Sequence, residues 1–139
     1  MKILVIDAQG GGMGRALIQR LVQALPDQPV TALGTNALAT AAMLKAGAHA
    51  GATGENAIVC QCRDAGLILG PAGIVLADAM LGEISPAIAL AVGRSPAVKI
   101  LIPSGRCKLV VAGQGSPGLD AAMDDAVEKA RAVLAGESL

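Results

Sequence analysis

Residues 3–14 read ILVIDAQGGGMG, a short apolar run followed directly by a glycine-rich segment. Residues 3–6 are continuous, apolar and rich in β-branched side chains, which is typical of a parallel strand buried on both faces. Glycines after such a strand permit a tight turn and let backbone N–H groups approach an anion at the start of the next helix. The stretch therefore predicts the first strand–loop–helix unit of an α/β fold, with a candidate ligand site in its loop.

The rest of the chain repeats this alternation. Strands are predicted at residues 3–6, 30–33, 48–52, 67–69 and 98–102, and helices at 12–25, 36–45, 55–65, 74–81, 86–92 and from about 120. Asn36 is a suitable N-cap for the second helix, and Ser85 precedes Pro86 at the start of the fifth. The pattern predicts a Rossmann-like, doubly wound α/β sheet of five parallel strands with helices on both faces.

A sixth strand is predicted at residues 109–111, which read LVV. The link from the fifth strand is too short for a parallel crossover, so this strand is expected to form an antiparallel hairpin at the edge of the sheet.

Length and composition predict one domain over residues 1–139 that associates with further copies of itself. Apolar residues make up 53% of the chain and charged residues 16%, against roughly 25% in an average domain. So little charge risks leaving apolar patches exposed, and such patches usually mark an interface. We therefore expect a homo-oligomer, with the helices between residues 74 and 92 forming the interface.

Several partners and compartments are disfavoured. The formal net charge is zero and no Lys/Arg run is present, which argues against nucleic acid. The longest uncharged apolar stretch, residues 66–77, is too short to span a membrane and contains Pro71. Three cysteines at irregular spacing fit a reducing cytoplasm, and they do not form a metal site with His49.

Glycine follows each of the five predicted parallel strands, and four of the five loops also carry polar side chains. In parallel sheets ligands bind beyond the carboxyl ends of the strands, near the point where the strand order reverses. The candidate ligand-binding residues are Asp7, Gln9, Gly10, Gly11, Gly12, Met13, Gly14, Gly34, Thr35, Asn36, Thr53, Gly54, Glu55, Asn56, Gly70, Pro71 and Arg106.

Two of these side chains have alternative interpretations. Asp7 could bind a ribose hydroxyl or a metal, transfer a proton, or cap its own glycine loop. Arg106 could hold an anion or be solvated at the surface. No catalytic residue can be assigned from the sequence.

The first loop resembles the cofactor loop of short-chain dehydrogenases, because residues 12–16 match the second half of T-G-x-x-x-G-x-G. Residues 70–74 are similar to the N-N-A-G segment of that family. The chain contains no tyrosine, so the family's Y-x-x-x-K catalytic pair is absent. The second strand is followed by neutral residues where dinucleotide folds usually carry an acid. A nucleotide or NAD(P)-like dinucleotide remains a candidate ligand, though ordinary NAD is less favoured.

The chain as a whole resembles a family of short bacterial proteins known only as domain of unknown function 3842. The resemblance covers nearly all of residues 1–113. It is carried by DAQGGGMG (7–14), ALGTNALAT (32–40), GATGENAI (51–58), LGEISP (81–86) and ILIPSGRC (100–107). It implies a Rossmann-like fold without an assigned activity.

Three hypotheses remain open. The protein binds a nucleotide or another phosphorylated or anionic small ligand on the first glycine loop, as a sensor or regulator. Alternatively, it is a small enzyme that uses Asp7, Glu55 and Arg106 on a phosphorylated or carboxylated metabolite. In the third hypothesis it is an oligomeric interaction module whose glycines serve packing alone.

Overall fold

A computed structural model describes residues 1–115 and 117–139 and contains one five-stranded sheet. The strands are β1 (Ile3–Asp7), β2 (Val30–Gly34), β3 (Ala50–Thr53), β4 (Leu67–Pro71) and β5 (Val98–Ile102). All neighbouring strands are parallel, in the order β3-β2-β1-β4-β5. The predicted five parallel strands are thus confirmed, and the strand order reverses between β1 and β4.

Helices cover both faces of the sheet, as predicted. They are α1 (Gly12–Ala24), α2 (Ala37–Lys45), α3 (Glu55–Cys62), α4 (Pro86–Arg94) and α5 (Leu119–Leu134). Helices α1, α2 and α5 pack on one face around Leu17, Met43 and Val127. Helices α3 and α4 pack on the other face around Ile58 and Ile88.

Strand β1 lies at the centre of the sheet, and all five of its residues are buried. It pairs with β2 on one side and β4 on the other, so its backbone hydrogen bonds are satisfied from both directions. Its apolar residues alternate between the two cores, since Ile3 and Val5 join one cluster and Leu4 and Ile6 the other. This double burial explains the continuous apolar run and directs Asp7 and the glycine loop to one edge of the sheet.

The predicted sixth strand at residues 109–111 is wrong, because these residues form no strand and join no sheet. After β5 the chain makes a short 3₁₀ turn, Gly105–Cys107, and Lys108 then adopts a left-handed conformation with φ +50°. Residues 109–111 are exposed and lack a ladder partner among the described strands. Their strand propensity alone does not make an edge strand.

The predicted helix at residues 74–81 is also wrong. A 3₁₀ helix, Ala72–Val75, is followed by turns up to Ile84. Asp78, Met80 and Leu81 all have positive φ, which is incompatible with a right-handed helix. Backbone hydrogen bonds close the turns, including one from the Asp78 N–H to the Ile84 carbonyl of 2.7 Å. We call residues 76–84 the crossing loop.

Candidate functional site

A cavity of about 910 Å³ lies at the carboxyl ends of β1, β4 and β5. Its wall comes from residues 7–13, Pro71, Met80 and Leu81 of the crossing loop, the turn that carries Arg106, and the start of α5. The cavity therefore lies where the strand order reverses, which is the usual ligand position in open parallel sheets. Its volume is within the range of small-molecule sites.

The loop between β1 and α1 is a tight turn closed by a 3.0 Å hydrogen bond from the Gly11 N–H to the Ala8 carbonyl. Gln9 and Gly11 both have positive φ, of 53° and 72°. Gly11 is the N-cap residue of α1 and contributes no side-chain cap. The first turn of α1 thus lacks a side-chain cap where Gly12 and Met13 meet the cavity.

Asp7 caps this loop from beneath. One carboxylate oxygen accepts a 2.8 Å hydrogen bond from the Ala8 N–H, and the other accepts a 2.7 Å bond from the Gly14 N–H. Burial raises the pKa of Asp7 above its usual 3.8, the two backbone bonds oppose that shift, and the charge of Glu83 adds to it. Asp7 is 4% exposed, and both of its carboxylate oxygens are used to hold the backbone of the loop.

Two of the loop glycines are required by packing. A Cβ on Gly11 would lie 2.8 Å from the Cα of Ala39 in α2, and one on Gly14 would lie 2.9 Å from the Cβ of Asp7. No real Cβ makes such contacts without something shifting. Gly10 and Gly12, in contrast, would place a Cβ in open space. The loop therefore contains glycines that pack against the protein and glycines that leave room in the cavity.

Gly12 and Met13 are the first two residues of α1, and both line the cavity. Within residues 1–115 and 117–139 neither backbone N–H has a hydrogen-bond acceptor, whereas the next amide, of Gly14, bonds Asp7. Amides at a helix N-terminus carry partial positive charge and favour an anion.

Arg106 contributes the cavity's second group suited to an anion. It lies on the 3₁₀ turn after β5, where the Ser104 hydroxyl accepts a 3.3 Å hydrogen bond from the Arg106 N–H. Asp120 also lines the cavity, but its carboxylate pairs with Arg20 at 2.9 Å. The structure thus brings Arg106 to the same cavity as the glycine loop, although the two are far apart in sequence.

Glu83 is a residue that sequence reasoning missed. Its Oε1 atom accepts hydrogen bonds from the Gln9 N–H at 2.9 Å, the Thr35 hydroxyl at 2.7 Å and the Asn36 side-chain amide at 2.8 Å. Burial alone would raise the pKa of Glu83, but these three bonds outweigh it and lower the pKa below the usual 4.5. Glu83 therefore joins the crossing loop to the loops after β1 and β2. The available signal was its place in the run LGEISP at 81–86.

Replacing Glu83 by glutamine is expected to lower the free energy of unfolding by about 1 kcal/mol at pH 7, because a neutral acceptor bonds the three donors less strongly. A depressed carboxyl pKa supplies stability above pH 4.5 that is lost as pH falls through the folded-state value. The stability difference between wild type and variant should therefore shrink below pH 4.5. Urea denaturation across pH measures it, with Glu137→Gln as an exposed control; parallel profiles for wild type and Glu83→Gln would contradict the role.

The predicted residues after β2 and β3 do not line the cavity. Thr35 and Asn36 bond Glu83, and Asn36 also caps α2 by accepting from the Ala39 N–H, as predicted. Thr53 bonds the hydroxyl of Thr40, and Glu55 accepts from the Ser85 hydroxyl. The residues that the structure leaves outside the cavity wall are Gly14, Gly34, Thr35, Asn36, Thr53, Gly54, Glu55, Asn56 and Gly70.

The residues that it brings together on the wall are Asp7, Gln9, Gly10, Gly11, Gly12, Met13, Pro71 and Arg106. Gly70, just before Pro71, is a packing residue, because a Cβ there would collide with the Ile6 carbonyl of β1.

Neither a metal cluster nor a membrane span is found in the part of the chain that the structure describes. No three His, Cys, Asp or Glu side chains there are placed to hold a metal ion. None of its helices has both the length and the hydropathy needed to cross a bilayer. His49 accepts a 3.1 Å hydrogen bond from the Val30 N–H, and burial raises the pKa of Cys62 to about 11. His49 thus has a hydrogen-bonding role within the fold, and Cys62 has a buried position in it.

The comparisons with known proteins give a family and no activity. A family model described as "Domain of unknown function (DUF3842)" matches residues 2–135. No curated protein and no solved structure matches the chain.

Proposed function

Because the chain belongs to the DUF3842 family, whose description assigns no activity, we propose its function from the cavity: it binds a small phosphorylated ligand, as a sensor or regulator. The observation that carries the proposal is the convergence on one cavity of the first turn of α1 and Arg106. These elements come from opposite ends of the sequence and meet where parallel sheets bind ligands.

Both groups suit a phosphate. The unbonded amides of Gly12 and Met13 offer two donors with the helix dipole behind them. The Arg106 guanidinium adds a full positive charge and a planar pair of donors that matches a phosphate. Gly10 and Gly12 leave open space, so an anion can approach the backbone closely.

Catalysis by Asp7, Glu55 and Arg106 together has less support. Glu55 bonds Ser85 and is absent from the cavity wall, and both oxygens of Asp7 accept backbone hydrogen bonds. A binding role needs only the groups that the cavity contains.

Arg106→Ala is expected to weaken phosphate-ester binding about ten- to a hundredfold without loss of stability, since a partly shielded charge-assisted bond is worth roughly 1.5–3 kcal/mol. Calorimetric titration with a phosphate monoester at two salt concentrations measures the effect. Arg94→Ala is the matched control, because Arg94 is exposed at the end of α4, away from the cavity. Equal affinities for wild type and Arg106→Ala at both salts would remove Arg106 from the site.

We also propose that the protein is cytoplasmic, because its three free cysteines suit a reducing compartment.

We further propose that the protein self-associates through the region 74–92. Leu90 on α4 is 52% exposed within that region, beside a groove lined by α3 and α4. Sedimentation at micromolar concentration is expected to show a dimer or larger species, and Leu90→Glu to shift it toward monomer. The control is Leu38→Glu on α2, another exposed leucine. A monomeric wild type would refute self-association.

A further inference from the structure

We propose that the ligand is a phosphate monoester of an aliphatic group and not a nucleotide. The inference rests on the proposed phosphate site and assigns the chemistry of the rest of the ligand. It follows from what closes the cavity on the β2 side and from what lines it on the β5 side.

The crossing loop occupies the side on which dinucleotide folds hold the adenosine ribose. In those folds a carboxylate after the second strand receives the ribose hydroxyls. Here β2 is followed by Gly34, Thr35 and Asn36, and the donors of Thr35 and Asn36 are both bonded to Glu83. Glu83 also bonds the Gln9 N–H, which ties the crossing loop to the glycine loop. A ribose at this place would have to displace three hydrogen bonds to one carboxylate oxygen.

The cavity extends over β4 and β5 toward α5, and much of its wall as a whole is aliphatic. The apolar side chains that contribute are Met13, Met80, Leu81, Pro103, Leu119 and Met123. Three of the chain's five methionines are therefore in this wall. Methionine is flexible and polarisable, and it adapts well to aliphatic groups of differing shape.

A nucleobase finds little to recognise there. The chain contains no Phe, Tyr or Trp, so no aromatic face is available for base stacking. The groups of the wall that suit an anion are the α1 amides, Ser104 and Arg106, and these are assigned to the phosphate. An aliphatic phosphate matches both parts of the wall, whereas the base of a nucleotide would lie against aliphatic side chains without an aromatic stacking partner.

Leu81 offers a selective probe of the aliphatic wall. Leu81 is 96% exposed and its φ is +58°, a conformation that leucine rarely adopts and asparagine tolerates. Leu81→Asn should therefore fold at least as well as wild type while removing apolar surface from the cavity. Leu38→Asn, at an exposed leucine of α2 outside the cavity, is the control.

Calorimetric titration with inorganic phosphate, methyl, butyl and hexyl phosphate, AMP and NAD tests the proposal. Affinity is expected to rise roughly two- to fourfold per methylene along the alkyl series, with AMP and NAD binding no tighter than methyl phosphate. Leu81→Asn should lower hexyl phosphate affinity severalfold and leave inorganic phosphate affinity unchanged, while Leu38→Asn changes neither.

The possible failures are distinguishable. AMP or NAD binding more tightly than hexyl phosphate would overturn the aliphatic assignment while supporting a phosphate site. A flat alkyl series, or a Leu81→Asn variant with unchanged hexyl phosphate affinity, would overturn it too. Absence of binding by every phosphate compound at millimolar concentration would overturn the proposed function itself.

Discussion

Gly11→Ala is expected to lower the free energy of unfolding by about 2–5 kcal/mol. Gly11 has φ +72°, and the left-handed conformation costs an L-residue about 1–2 kcal/mol. An added Cβ would lie 2.8 Å from the Cα and 2.9 Å from the carbonyl oxygen of Ala39. These are backbone atoms of α2 that cannot rotate away, and overpacking of this kind costs about 1–3 kcal/mol. Urea denaturation monitored by circular dichroism measures the loss.

The adjacent glycine supplies the control. Gly12 lies in the same loop, is absent from the positive-φ residues and would place a Cβ in open space. As the first residue of α1, it should gain slightly from alanine, by up to about 1 kcal/mol. Equal stabilities for Gly11→Ala and Gly12→Ala would contradict the packing role of Gly11.

The different roles of Gly11 and Gly12 could not be predicted from the sequence of the glycine loop. The run of glycines after a buried strand correctly predicted a strand–turn–helix unit, because glycine is favoured where the backbone turns tightly. Which glycine packs against α2 depends on where α2 lies, and that placement is a tertiary property. Gly11 and Gly12 are equivalent in the sequence pattern and distinct in the fold.

Local sequence patterns predicted the structure correctly where each pattern was compatible with only one structure. The buried strand at residues 3–6 and the caps Asn36 and Ser85 were predicted and confirmed, since each depends on neighbouring residues alone. The LVV run at 109–111 was compatible with two structures, because the same side chains suit an edge strand or an exposed segment. The turn at Gly105–Cys107 and the left-handed Lys108 decided between them.

The features that the sequence did not predict arise from contacts between residues that are distant along the chain. Glu83 is 74 residues from Gln9 and 48 from Thr35, so no local spacing linked it to either loop. The neutral residues after β2 lowered the expectation of an ordinary NAD site, which stays a prediction; the fold gives Thr35 and Asn36 a role as hydrogen-bond donors to Glu83. The approach of Arg106 to the glycine loop likewise depends on the parallel strand order, which brings the ends of β1 and β5 to the same edge.

Gly12→Val is expected to weaken phosphate-ester binding at least about a hundredfold while the fold remains intact. Its branched side chain would occupy the open space through which an anion reaches the amides of Gly12 and Met13. Each charge-assisted hydrogen bond is worth roughly 1.5–3 kcal/mol, so loss of both removes two or more orders of magnitude in affinity. Stability should change by less than about 1 kcal/mol, since no neighbour lies within 4 Å of the new Cβ.

The measurement is a calorimetric titration of wild type, Gly12→Ala and Gly12→Val with the same phosphate monoester, beside urea denaturation of each protein. Gly93→Val is the matched control, because Gly93 is an exposed glycine of α4 that would also place a Cβ in open space, outside the cavity. Affinity should fall from wild type to alanine to valine at position 12 and stay constant for Gly93→Val. A Gly12→Val protein that folds and binds as wild type would exclude the first turn of α1 from the site, since no anion could then contact those amides past the valine.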